Sequence, residues 1–259
     1  MKKNVNYQKR QLQMNKKNLQ QKDQFNYYNL GSADYEKKRI LLTRKLDRAS
    51  RRKAQIIAKK LNAPLNRILE VGAGSGLISY SLTKQLNYKE YIVTDLSSKM
   101  LEDAKRRLSS PPSPLPKRVI FEVDDAHASK FKKNEFNAVI GIDIIHHLAD
   151  PELAMQELLR ISKPKAKLVF LETNAYNPLI MLNIGLEHEV RCFLNTDTNL
   201  KKWLSNAGWA NISVVPAPSF TPSCPKWLSP FFDLLDRIFV RIPKLNKFSA
   251  LWLITAEKK

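Results

Sequence analysis

The sequence predicts an α/β fold of seven strands interleaved with helices. Three observations carry that expectation. The run Ile68-Leu69-Glu70-Val71 stops at a turn with glycine at alternate positions, Gly72, Gly74 and Gly76. A second β-rich run, Tyr91-Ile92-Val93-Thr94, ends in Asp95, 19 residues after Gly76. Further short runs of the same kind recur, each followed by a turn or a helical pattern.

Taken in order, the first strand and its glycine turn lead into a helical stripe, Leu77, Ile78, Tyr80 and Leu82. Glycine serves the turn in two ways. It tolerates positive φ, and without a Cβ it lets a ligand lie against the backbone. Such a turn at the carboxyl end of a parallel strand is where open α/β sheets bind nucleotides. After the second strand, Ser97 reads as an N-cap and Met100, Leu101 and Ala104 as a buried stripe. Val119–Val123 reads as a third strand, ending in Asp124-Asp125-Ala126. The fourth strand spans Phe136–Asp143 and runs into Ile144-Ile145-His146-His147-Leu148-Ala149-Asp150-Pro151. A fifth spans Ala166–Glu172.

The second half departs from the sheet at Asn174, Asn177 and Pro178, then carries an apolar stretch over residues 179–186. Asp197 reads as the N-cap of a helix over Thr198–Asn206, ended by Gly208. Ile212–Val215 and Leu251–Ala256 are the last two strands. Between them, Phe231, Phe232, Leu234, Leu235, Ile238 and Phe239 oppose Asp233, Asp236, Arg237 and Arg241. That pattern is an amphipathic helix, read first as a cap packed on the core and second as a wall for a greasy substrate or a membrane-interface helix.

Spacing narrows the choice of nucleotide. A dinucleotide fingerprint needs G-x-G-x-x-G, but the sixth position is Leu77 counted from Gly72 and Ser79 counted from Gly74. The pattern present, E-x-G-x-G-x-G from Glu70, resembles motif I of the class I S-adenosylmethionine-dependent methyltransferases. The stretch Asp95-Leu96-Ser97-Ser98-Lys99-Met100, the Asp124-Asp125-Ala126 run and the segment 144–151 continue the resemblance, the last to small-molecule types that include the quinone-ring enzymes. The likeness covers roughly residues 65–175.

The resemblance implies a Rossmann-like, mostly parallel seven-stranded sheet with an antiparallel C-terminal hairpin and helices on both faces. It implies S-adenosylmethionine as cofactor, held by Glu70, Gly72, Ala73, Gly74, Gly76, Asp95, Leu96, Met100, Asp124, Asp125, Ala126 and Ile142. Asp95 would hold the ribose, and Asp125-Ala126 best match the adenine contact. Methyl transfer from a sulfonium is an in-line displacement, so the protein mainly supplies alignment and desolvation. A base is needed only for a neutral hydroxyl or an activated carbon, and His146 and His147 are the candidates. In an extended segment the two would point opposite ways. Tyr27, Tyr28, Tyr176 and His188 are the candidate substrate contacts. The acceptor is expected to be small or lipid-like and methylated on O or C. Two alternatives are an RNA methyltransferase using the basic arm, and a fold that binds the cofactor without catalysis. The N/D-P-P-Y/F segment of base amino methylation is missing after the fourth strand, where Asp143-Ile144-Ile145-His146 stands. Neither Cys192 nor Cys224 is placed for pyrimidine C5 chemistry.

Composition sets the remaining bounds. The 259 residues are 43% hydrophobic, enough for a large core. Two cysteines form no disulfide framework or zinc spacing, which points to a reducing compartment and no metal. The chain opens without a signal-peptide pattern and no apolar run approaches the roughly 18 residues of a span, so a cytoplasmic protein is expected, with peripheral membrane attachment as an extension. Residues 1–60 hold 18 Lys/Arg and 4 Asp/Glu, a net of +14 out of +20. They are expected to attract an anionic membrane surface or RNA. Residues 1–30 read as a basic, disordered arm whose aromatic end, Phe25–Ser32, would serve as a lid. The domain proper is 31–259, with cap insertions at about 174–196 and 217–247.

Overall fold

The computed structural model describes residues 49–61, 63–109, 118–177, 190–217, 234, 238 and 240–259. A helix over 49–60 (α1) precedes β1 (Leu65–Val71), α2 (Leu77–Gln85), β2 (Tyr88–Asp95) and α3 (Ser98–Ser109). Next come β3 (Arg118–Val123), β4 (Phe136–Ile142), a 3-10 turn (Ile145–His147), α4 (Pro151–Ile161) and β5 (Ser162–Thr173). A second 3-10 segment, Val190–Leu194, leads to α5 (Asp197–Asn206), β6 (Ala210–Ala217) and β7 (Leu251–Glu257). The strands form one seven-stranded sheet in the order β3-β2-β1-β4-β5-β7-β6. β1 through β5 pair in parallel, and β7 runs antiparallel to both β5 and β6. The expected sheet is therefore the observed one.

Each face of the sheet has its own core. Ala54, Ile57 and Leu61 of the α1 stripe join Leu82, Leu101, Ile68 and Ile140 on one face. Met155, Leu158, Leu200 and Leu204 of α4 and α5 cover Leu69, Val139 and Phe170 on the other. Central strands are covered on both sides, so their sequences read as continuous apolar runs rather than alternating ones. Ile57, Ile68, Leu69 and Leu82 are completely buried, each contributing about 1.5–3 kcal/mol of burial.

Several boundaries differ from expectation for identifiable reasons. β4 ends at Ile142, because Asp143 takes a left-handed φ of 52°. β5 begins four residues early, at Ser162, and absorbs a bulge where Lys165 has φ 62°. The cap of α5 is Thr196, not Asp197. Thr196 is extended, and its hydroxyl accepts from Asn199 N at 3.2 Å. Asp197 is instead the first helical residue, where its charge suits the helix dipole. The expectation for Ser97 holds: its Oγ accepts from Met100 N at 3.2 Å. The arm 1–30, the 179–186 stretch and, of the 217–247 insertion, residues 218–233, 235–237 and 239 lie outside the described residues.

Candidate active site

The three glycines of the turn all lie in the left-handed region, at φ 64°, 54° and 71°. Their neighbours separate their roles. A Cβ on Gly72 would fall 2.3 Å from Ile144 Cδ1, and one on Gly76 would fall 2.9 Å from the Ala104 backbone. Packing of the turn on the β4 loop and on α3 thus requires both. A Cβ on Gly74 would meet no atom of the described residues within 4 Å, so among them the middle of the turn presents bare backbone to open space.

Asp95 stands beside that opening. Its Oδ2 accepts from Gly74 N at 2.8 Å and its Oδ1 from Ser97 N at 2.9 Å. Burial raises its pKa, opposed by these backbone donors. Ala73 N donates to Thr94 O at 2.9 Å, and Arg107 Nε to Ser75 O at 3.0 Å, which ties the turn to β2 and α3. Met100 is buried in the first turn of α3, where its N donates to Ser97 Oγ, and Ile142 is buried at the end of β4. Glu70 points inward. Its carboxylate accepts from the Tyr91 hydroxyl at 2.9 Å, and burial pushes its pKa up to about 7.

The β3 loop joins the same edge, since Asp124 N donates to Asp95 O at 3.2 Å. The Asp124 side chain closes its own loop, accepting from Ser129 Oγ and Lys130 N. Asp125 Oδ1 accepts from His127 N at 2.9 Å and lies 2.8 Å from His127 Nδ1. Asp150 N donates to His127 Nε2, so the Nδ1 side carries the proton and donates to Asp125. His127 escaped sequence reading because nothing in its spacing distinguishes it from a loop residue. Ala126 is buried behind this loop.

The paired histidines do not occupy an extended segment. They sit in a 3-10 turn, and their rings meet with centroids 4.0 Å apart instead of diverging. The cause is Glu172, which is fully buried at the end of β5. Its Oε1 accepts from Ile144 N and Ile145 N, both at 2.7 Å, which curls the chain after β4. Its Oε2 lies 3.0 Å from His146 Nδ1 and accepts from Asn195 Nδ2 at 3.0 Å. Burial disfavours charge on His146, but bonds to Cys192 and Glu172 and the Glu172 charge outweigh it and raise its pKa to about 11. His147 shifts the other way, to about 3, through burial and the neighbouring His146 charge. Neither histidine therefore keeps the near-neutral pKa of a free imidazole.

Lys53 of α1 pairs with Asp143 just past β4. Burial would raise the Asp143 pKa, yet Lys53 and the two histidines hold it below the usual range. One cation of the expected basic face is thus committed to the sheet, a role its composition did not distinguish. Tyr176 packs edge-on to Trp252 at 6.1 Å, with Lys247 Nζ 4.2 Å from its ring centre and its hydroxyl 3.3 Å from Asp197 Oδ1. Tyr27, Tyr28 and His188 lie outside the described residues.

The comparison with known proteins follows this geometry. A family model described as a methyltransferase domain matches residues 69–170. The matched stretch takes in the glycine turn, Asp95 and both histidines, so this part of the chain is similar to methyltransferase domains. A demethylmenaquinone methyltransferase of Renibacterium salmoninarum is 26% identical over 189 residues, covering 63% of this chain and 75% of the relative. The ubiquinone/menaquinone biosynthesis C-methyltransferase UbiE of a Ruegeria species is 30% identical over 109 residues, 42% of this chain and 43% of that one. A highly reducing polyketide synthase of Emericella nidulans is 26% identical over 164 residues, 58% of this chain but only 6% of the synthase. Thus the chain spans a small fraction of some relatives and most of others. A solved S-adenosylmethionine-dependent methyltransferase of Thermotoga maritima shares the fold at TM-score 0.63 and 18% identity, over 91% of this chain and 99% of the other.

Proposed function

We propose that this methyltransferase transfers a methyl group to a carbon or oxygen of a small, apolar acceptor. S-adenosylmethionine, when bound, supplies an electrophilic methyl on a sulfonium. The open space over Gly74 beside a buried carboxylate is the observation that carries the reading, because it fits a nucleoside lying on the turn. Asp95 would hold the ribose hydroxyls with the lone pairs its backbone donors leave. Asp125 and Ala126 would face the adenine, Leu96, Met100 and Ile142 would flank the nucleoside, and Gly72, Ala73 and Gly76 would shape the cradle. Glu70, turned onto Tyr91, would brace the turn from beneath.

The histidines support a positioning role. His146 is held as the cation of a buried pair, and His147 is too weak a base to take a proton at neutral pH. An acceptor that is itself acidic, an enolisable carbon or a phenol, suits such a site, since it needs orientation more than deprotonation. The relatives named for C-methylation agree with that chemistry. The test is calorimetric titration of S-adenosylmethionine and its demethylated product, followed by transfer of a labelled methyl to phenolic and 1,3-dicarbonyl acceptors. Binding of both nucleosides and labelling of such acceptors is expected. Binding of neither would overturn the reading.

A further inference from the structure

An apolar stripe remains exposed on the rim of this edge. Leu234, Ile238 and Ile242 follow at four-residue steps, and Leu245 and Phe248 continue the series. Ile242 N donates to Ile238 O and Asn246 N to Ile242 O. The chain turns at Lys244, whose φ is 71°, and Asn246–Phe248 forms a 3-10 turn, so Ile242, Leu245 and Phe248 stand on successive short turns. These five side chains are between 39% and 56% exposed. So many large apolar groups within 15 residues exceed the scatter expected of a solvated surface.

Cations interleave with them. Arg241, Lys244 and Lys247 are exposed, each directly preceding an apolar residue or a proline in the run Arg241-Ile242-Pro243-Lys244-Leu245-Asn246-Lys247-Phe248. From 234 to 256 the sequence holds a single acid, Asp236. The rim is also fixed to the site. Asn174, the residue after β5, donates through Nδ2 to Lys247 O and Ser249 O at 2.8 Å, and Asn177 does the same to Phe248 O. Leu251 pairs with Thr173 at the carboxyl end of β5.

We propose that this rim is a membrane-docking surface, whose stripe enters the headgroup boundary of an anionic bilayer while Arg241 and Lys244 meet lipid phosphates. The charge pattern selects that occupant. Protein interface cores are depleted in Lys, whereas segments that enter a bilayer interface combine apolar side chains with Lys and Arg. Nucleic acid would match the cations but gives Leu and Ile no partner. Docking would turn the acceptor end of the sheet toward the lipid. The inference goes beyond the acceptor reading and holds even for a water-soluble acceptor.

The experiment is flotation of the full chain with phosphatidylcholine vesicles containing about 30% phosphatidylglycerol, and with pure phosphatidylcholine, in low salt and in 0.5 M salt. Salt screens simple attraction by the basic residues 1–60 but leaves apolar insertion in place. The parent is expected to float with the anionic vesicles and to stay partly bound in high salt. I242E/F248E should lower the bound-to-free ratio at least about tenfold, as should R241E/K244E at low salt. Binding of S-adenosylhomocysteine should stay within about twofold for both variants, which separates this proposal from the cofactor reading. Failure of the parent to float would overturn the proposal. So would I242E/F248E floating like the parent, or that pair dissolving a dimer without changing flotation. If I242E/F248E loses S-adenosylhomocysteine binding, R241E/K244E alone decides by the same criterion.

Discussion

Glu172 is the most exposed to test of the groups around the paired histidines, because one carboxylate there serves four donors. The perturbation is Glu172→Ala. It removes the acceptor for Ile144 N, Ile145 N, His146 Nδ1 and Asn195 Nδ2 at a site with no solvent access. An unsatisfied buried donor costs about 1–3 kcal/mol, and removing one partner of a buried ion pair about 3–5 kcal/mol. These terms overlap, because the same relaxation relieves several donors. The expected loss is therefore about 3–5 kcal/mol, a large share of a domain's typical 5–15 kcal/mol. Glu172→Gln keeps the volume and one acceptor and should lose about half as much. Urea unfolding followed by tryptophan fluorescence reads both. The pH dependence supplies a second readout. His146 has its pKa raised from 6.5 to about 11, so its contribution is complete below pH 6.5 and fades as pH rises through 11. Alkaline loss of stability across that window should be shallower in Glu172→Gln than in the parent. An alanine variant within about 1 kcal/mol of the parent would refute the account of this knot.

Three further outcomes are expected. Gly74→Ala should fold with a loss of about 1–2 kcal/mol from its left-handed φ, yet weaken S-adenosylmethionine binding at least about tenfold, whereas Gly76→Ala should lose about 2–5 kcal/mol because its Cβ meets the Ala104 backbone. Thermal melts and calorimetry separate the two, and equal effects on both readouts would contradict the assignment. Asp95→Asn should weaken cofactor binding by about 10- to 150-fold, the value of charge-assisted bonds to the ribose, and should lose about 1–3 kcal/mol of stability, because its amide nitrogen cannot accept from Gly74 N or Ser97 N. The Glu70 pKa rises from 4.5 to about 7, so its stabilising contribution is present below pH 4.5 and lost as pH climbs through 7. Glu70→Gln should gain on the parent by up to about 3 kcal/mol between pH 4.5 and 8, and a flat difference across that range would show that Glu70 ionises freely.

Local patterns sufficed for the strands, the glycine turn and the carboxylate at the end of β2. Those features live within a few residues of each other, where period, φ preference and capping chemistry act directly. The pairing of the sheet and its antiparallel hairpin were legible through the resemblance to the methyltransferases and not from local pattern, and Gly74 and Asp95 meet because adjacent parallel strands end side by side. The histidine pair was visible, but its behaviour was not. Its conformation is set by Glu172, 26 residues further on, and by Asn195 and Cys192 from the segment before α5. The same holds for Lys53, one cation among many in sequence, whose partner Asp143 lies 90 residues away. Residue types and spacing determined which family of site this chain builds. Burial, and the partners that burial selects from distant segments, decided which side chains there carry charge, because a pKa depends on the field at a point in space and not on a neighbour in the chain.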